Sequence, residues 1–221
     1  MKSGLNIILL LILSNSAIYS QNDSILCGPN FKLNEGVYIN YEDFRRNNPV
    51  NKEQIESNLN KEMLDFYGKV LESEQLAFVR INQKYKVISN TVWGFYQNNV
   101  LHINYKNKFY RVPLFGSICY LMASVEVSSP AFYPGYGGIG GIGGINGGVS
   151  INTKSREIQE FLINYYDGII VPFSMKDAEG LLSRDSVVYN EFKSLKAKKR
   201  KEQISRYIRK YNELHPIYFL K

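Results

Sequence analysis

The sequence predicts an α+β fold: an antiparallel β-meander sheet packed by C-terminal α-helices, with a glycine-rich loop inserted between strands. Three observations carry that prediction. From Leu71 to Val127 short alternating apolar runs are broken by turn residues, the pattern of hairpin-linked strands. Seventeen Tyr and twelve Phe in 221 residues tilt the chain toward strands. Beyond Phe173 the apolar residues switch to helical spacing, behind a Ser174/Asp177 pair that resembles a capping box. With 44% hydrophobic and 21% charged residues the composition is ordinary for a globular chain, which excludes collagen-like and generally disordered architectures.

At the N-terminus, Lys2 precedes an unbroken apolar run from Ile7 to Leu13, followed by Ser14, Asn15, Ser16 and Ala17. That order reads as a Sec signal peptide over residues 1–20, cleaved between Ser20 and Gln21. The run is too short for a spanning helix, which needs about 20 residues. Residues 21–221 then form a single α+β domain, and the expected location is exported: periplasmic, outer-membrane-associated or extracellular. Cys27 lies beyond the apolar run and follows Leu26 rather than a small residue, which excludes lipidation there. Cys27 and Cys119 are the only cysteines. In an oxidising compartment they pair as a disulfide, or Cys119 stays a buried thiol in its apolar run while Cys27 sits in an N-terminal arm.

Taken in order, Gly36–Tyr41 alternates as a strand and Glu42-Asp43-Phe44 begins a turn or short helix ending at Asn47-Asn48-Pro49. Asn51 with Gln54 has the spelling of an N-cap, and Ile55, Leu59 and Met63 recur at helical spacing up to Gly68. Next come strands Trp93–Tyr96, Val100–Tyr105, Phe109–Leu114 and Ile118–Val127, with turns at Asn98-Asn99 and Asn107-Lys108. Pro113 belongs at a strand end or edge, since it has no N–H to donate. Residues 127–153 carry no charge and hold 9 of the 17 glycines, the expected loop. Ile158–Tyr165 and Gly168–Phe173 form another strand pair across Tyr166-Asp167. Two helices follow, Ser174–Leu182 and one from Asp185 that buries Val188, Phe192 and Leu195. At 100° per residue, Ile204, Tyr207, Ile208 and Tyr211 fall on a face turned away from that stripe. The helix therefore breaks within the basic run, or continues and meets a second partner.

The formal charge of +7 is localised. Between Asn190 and Lys221 there are ten basic and three acidic residues, and the rest of the chain has seventeen of each. The basic helical tail, residues 185–221, thus holds the candidate contacts for an anionic partner: Lys196, Lys198, Lys199, Arg200, Lys201, Arg206, Arg209 and Lys210. An anionic envelope polymer, a lipid surface or a protein are the partners that such a face fits. Export disfavours nucleic acid.

Several segments together resemble a family of uncharacterised exported proteins of Bacteroidota-type bacteria that carry a domain of unknown function. The matching pieces are Gly36–Phe44 with Asn48-Pro49, Val92–Tyr96, Phe109–Gly116, and Tyr166-Asp167-Gly168 through Tyr189–Lys193 to Tyr211–Pro216. The resemblance implies export and supplies no activity and no catalytic residues.

The residues offer little chemistry of their own. Gly138–Gly143 satisfies a dinucleotide-binding spelling, but it lies within three consecutive Gly-Gly-Ile triplets from Gly137 to Ile145, with more glycine where a helix should start, so no cofactor is expected. Two histidines, His102 and His215, exclude a multi-histidine metal site, and no Gly-x-Ser-x-Gly elbow is present. His102 reads as a solvent-side strand residue and His215 as the end of the last helix. Glu42/Asp43 and Glu72/Glu74 are carboxylate pairs that glycoside hydrolysis could use if they faced one cleft. Trp93, Phe95, Tyr96, Tyr105, Phe109 and Tyr110 form a sugar platform if they share a sheet face, and core packing if they alternate. The leading expectation is a noncatalytic exported cell-envelope binding or structural module. Its rivals are a hydrolase acting on an envelope polysaccharide, and a peripheral membrane protein using the tail with Ile139, Ile142 and Ile145.

Overall fold

The computed structural model describes residues 24–27, 31–133 and 149–220. The expected signal peptide and the centre of the glycine-rich loop lie outside the described residues. The fold is α+β, with antiparallel pairing throughout. Its first strands are β1 (Ser24–Leu26), β2 (Gly36–Tyr38), β3 (Ile55–Glu56), β4 (Gln75–Arg80), β5 (Gln83–Ile88) and β6 (Gly94–Gln97). There follow β7 (Val100–Tyr105), β8 (Lys108–Arg111), β9 (Ile118–Tyr133), β10 (Val149–Asn164), β11 (Ile170–Pro172) and β12 (Tyr218–Leu220). The helices are α1 (Tyr41–Arg45), α2 (Phe66–Val70), α3 (Met175–Leu182), α4 (Ser186–Ser194) and α5 (Ala197–Leu214).

The strands make four sheets, ordered β2-β6-β7-β8, β3-β4-β5, β11-β10-β9 and β1-β12. The predicted meander holds through β6, β7 and β8, where Asn98 and Asn99 take φ of 51° and 61° and close the first hairpin. The second turn sits one residue earlier than expected, at Lys106 and Asn107, both at positive φ. The run from Ile118 does not continue that sheet. After exposed Pro113, a single backbone bridge, Leu114–Tyr120, and the Tyr110 hydroxyl donating to the Ser124 carbonyl link the two segments among the described residues, and β9 pairs along its whole length with β10 instead.

Because side chains alternate across a strand, the β2-β6-β7-β8 sheet separates two cores. Val37, Phe95 and Phe109 face a cluster with α2 and β4. Tyr38, Leu101 and Ile103 face a second cluster with Leu121, Phe161 and Ile163 of β9 and β10. The other side of β9 and β10 presents Ile118 and Leu162 to a third cluster, built with α3, α4 and α5. The molecule is therefore a stack of three sheets closed by a helical layer. Full burial of one large apolar side chain, such as Phe192 at 0% exposure, contributes roughly 2–3 kcal/mol.

Two further expectations are corrected. Asn51 and Gln54 do form the reciprocal capping bonds, Asn51 Oδ1 accepting from the Gln54 N–H and Gln54 Oε1 from the Asn51 N–H. No helix forms over 51–65. Ile55 pairs with Phe78 of β4 and is 2% exposed, while Leu59 is 38% exposed, so the three apolar residues never share a face. Gly68, the expected stop, lies inside α2. The uncharged stretch 127–153 is not loop at its ends: β9 runs to Tyr133 and β10 starts at Val149, in register with it. β-branched and aromatic residues, Val127, Phe132, Tyr133, Val149 and Ile151, supply strand propensity there.

Candidate functional site

The basic tail is organised by its caps. Ser174 Oγ accepts from the Asp177 N–H to start α3, and Asp185 Oδ1 accepts from the N–H groups of Val187 and Val188 to start α4. Leu195 and Lys196 are extended, with ψ of 145° and 148°, and this break turns α5 back over α4. Val188 and Phe192 thereby join Ile204, Tyr207, Ile208 and Tyr211 in one cluster. Of the two possibilities the sequence allowed, the helix breaks, at the start of the basic run.

Polar contacts lock α5 to the sheet. Asn212 Oδ1 accepts from the Ile118 N–H and its Nδ2 donates to the Ile118 carbonyl, both at 2.8 Å, so a side-chain amide substitutes for a strand partner at the start of β9. Gly116 makes room for it: a Cβ there would lie 2.5 Å from Asn212 Cγ. His215, the C-cap of α5, places Nε2 2.7 Å from Asp185 Oδ2 and packs its ring, tilted by 33°, against Tyr211. The backbone N–H of Val188 first, then His215, hold the Asp185 carboxyl below its ordinary value.

The eight candidate cations separate into two groups. Arg200 is 3.3 Å from Glu179, which also holds Lys193 of α4 at 3.0 Å. Lys210 pairs with Glu191, whose other oxygen accepts from Tyr207 Oη; Lys210 and then Tyr207 keep that carboxyl below its usual value. These two cations fasten helix to helix. Lys196, Lys198, Lys199, Lys201, Arg206 and Arg209 are exposed, and none of them has an ion pair among the described residues. Lys198, Lys199, Arg206 and Arg209 fall within an arc of about 100° opposite the buried stripe. Glu202 and Glu213 share that arc, which leaves it with a net positive charge.

At the far end of the stack lies a cleft of about 850 Å³. Its walls are Glu72–Gln75 after α2, Ile88–Asn90 after β5, and Asn107–Tyr110 at the β7–β8 hairpin. Glu72 is held by Lys69 at 3.0 Å; Glu74 has no ion pair among the described residues. Ser89 is 2% exposed and its Oγ has no hydrogen-bond partner. Glu42 and Asp43 do not face this cleft: they bind Arg46 at 2.8 Å and Arg80 at 3.1 Å, and so support α1.

The aromatic platform divides between the two sides of its sheet. Phe95 and Phe109 pack on the α2 side, whereas Trp93, Tyr96, Tyr105 and Tyr110 pack on the β9 side, with Trp93 stacked on Phe44 at 4.2 Å. His102 is not a solvent-side residue. It is half-buried, its ring lies parallel to that of Phe95 at 4.5 Å, and burial lowers its pKa. His102 does alternate with Leu101 and Ile103, but both sides of this sheet are covered. Cys27 and Cys119 are free thiols rather than a disulfide. Cys119 Sγ donates to the Gly116 carbonyl at 3.1 Å, and burial pushes its thiol up to about 12.

Among the described residues no group of three or more His, Cys, Asp or Glu side chains is placed to hold a metal ion, and no helix is long and apolar enough to cross a membrane. No family model, curated protein or solved structure matches the chain significantly. Sequence reasoning located α5 and its cations. It missed Asn212, which fixes the helix, and Ser89, which only the meeting of β5 with the β7–β8 hairpin brings to a cleft wall.

Proposed function

We propose that the protein is a noncatalytic, exported binding module of the cell envelope, and that it engages an acidic polysaccharide through the exposed face of α5. The observation that carries this reading is the set of unpaired cations Lys198, Lys199, Arg206 and Arg209 on a helix whose opposite face is fastened to the body. The helix backbone is already fixed, so binding orders only the side chains, and a repeating polyanion gains attraction from several cations at once. A polymer is favoured over an inserting membrane contact. An interfacial helix buries an apolar face in lipid, and here Ile204, Tyr207, Ile208 and Tyr211 are at most 7% exposed.

The test is binding of the protein to polygalacturonate and to anionic vesicles, compared with a Lys198→Ala/Lys199→Ala/Arg206→Ala/Arg209→Ala variant. The expected result is polymer binding that drops at least tenfold in the variant while its melting temperature is unchanged. Equal binding by both proteins would refute the reading.

A further inference from the structure

We propose that the cleft between the Glu72–Gln75 segment, the Ser89-Asn90 turn and the β7–β8 hairpin is a second binding site, and that its ligand is an uncharged oligosaccharide. The proposal does not depend on α5, which lies in the opposite layer of the stack. At about 850 Å³ the cleft has the volume of a small-molecule site and accommodates a few sugar rings. Its polar lining is mostly neutral, with Gln75, Ser89, Asn90 and Asn107 contributing amides and a hydroxyl. Side-chain amides both donate and accept, the chemistry that adjacent sugar hydroxyls require. Phe109 and Ile88 add apolar surface for the C–H faces of a sugar ring. The lining also carries Glu72 (paired with Lys69), Glu74 and the cation Lys108, so its charges offset one another and offer a polyanion no cluster like that of α5.

The observation that points to a ligand is Ser89. A buried hydroxyl without a partner is costly and rare in a folded protein. Ser89 has its backbone satisfied, the N–H donating to the Glu74 carbonyl at 2.9 Å and its own carbonyl accepting from the Val92 N–H at 3.3 Å. Only the Oγ is left over; it is closed to solvent on a residue that lines the cleft, so a turn of the Ser89 side chain is what presents it to a ligand. Asn90 is exposed beside it, and its backbone carbonyl is fixed by Asn104 Nδ2 at 2.6 Å, which holds the turn in place before any ligand arrives.

The experiment is calorimetric titration of the protein with tetra-N-acetylchitotetraose and, separately, with maltotetraose. The result expected is saturable binding of at least one sugar, with an affinity that changes less than about twofold between low and high salt because no ion pair forms. Ser89→Ala removes the orphan hydroxyl: the free variant melts at or above the wild-type temperature, yet binds the sugar about tenfold more weakly. Asn90→Ala, on an exposed side chain, provides an independent loss of affinity. The charge-removal variant of α5 binds the sugar as the wild type does, which separates this site from the polymer reading. Absence of binding by both sugars overturns the proposal, and so does binding that neither Ser89→Ala nor Asn90→Ala weakens.

Discussion

The two outer layers of the stack meet solvent in opposite ways. The helical layer shows water a row of unpaired cations on α5 and hides its apolar stripe. The β3-β4-β5 layer shows water apolar side chains, Ile81 at 90% exposure at the tip of its hairpin and, at the other end, Ile88 at 54% on the wall of a cleft whose polar lining is mainly neutral. A row of exposed cations on a fixed helix suits a long polyanion bound from outside. A cavity with few charges suits a small neutral ligand bound within. The two proposed recognition surfaces therefore differ in the response to salt expected of them, and each layer can be perturbed alone.

The strongest perturbation of the helical layer is Phe192→Ala. Phe192 is fully buried where α4 meets α5, and its loss costs about 4 kcal/mol, read as a lower midpoint in urea unfolding. Polymer binding falls with it, because α5 loses its bed. Next, Asn212→Ala deletes both bonds to the backbone of Ile118 and costs about 2 kcal/mol. Gly116→Ala acts at the same contact, by displacing Asn212. Both belong in a melting experiment with the sugar titration as a control, since the cleft in the other layer should be unaffected.

A smaller effect separates charge from capping in the helical layer. The Asp185 carboxyl is held below its ordinary value, so the stability it contributes is full above the unfolded aspartate pKa near 3.9 and is lost as the pH falls through the lower folded value. Asp185→Asn keeps an N-cap acceptor and removes that pH dependence. A melting series from neutral to acid pH checks it, with the wild type losing several degrees more than the variant. The smallest change has the opposite sign and lies in the other layer. Ile81 turns the β4–β5 hairpin at φ 50°, a left-handed conformation that a β-branched residue adopts at a cost, so Ile81→Gly raises stability by about 1 kcal/mol.

Those two layers also divide what the sequence disclosed. The helical layer was legible because its signals are local: a capping pair at Ser174, spaced apolar residues, and a basic run long enough to be solvated. The break at Leu195 was legible as one of two possibilities, since the two apolar stripes diverge. In the other layer the Asn51 cap formed as spelled, but three apolar residues could not sustain a helix against the pairing of Ile55 with Phe78. The same lack of long-range information hid the separation of β9 from the meander and the fate of the aromatics, which depends on both faces of β6–β8 being covered. Ser89 carries no local signal at all, because an unpaired hydroxyl is a property of its surroundings.

The most direct test of the central claim is the salt dependence of polygalacturonate binding, measured by calorimetry for the wild type and for a Lys198→Glu/Arg206→Glu variant. Attraction from several exposed cations weakens steeply as the screening length shortens from about 30 Å at 0.01 M to about 8 Å at 0.15 M. The account predicts a steep loss of affinity with salt in the wild type and little binding at any salt in the variant. Binding that is insensitive to salt, or unchanged by the two charge reversals, would contradict it.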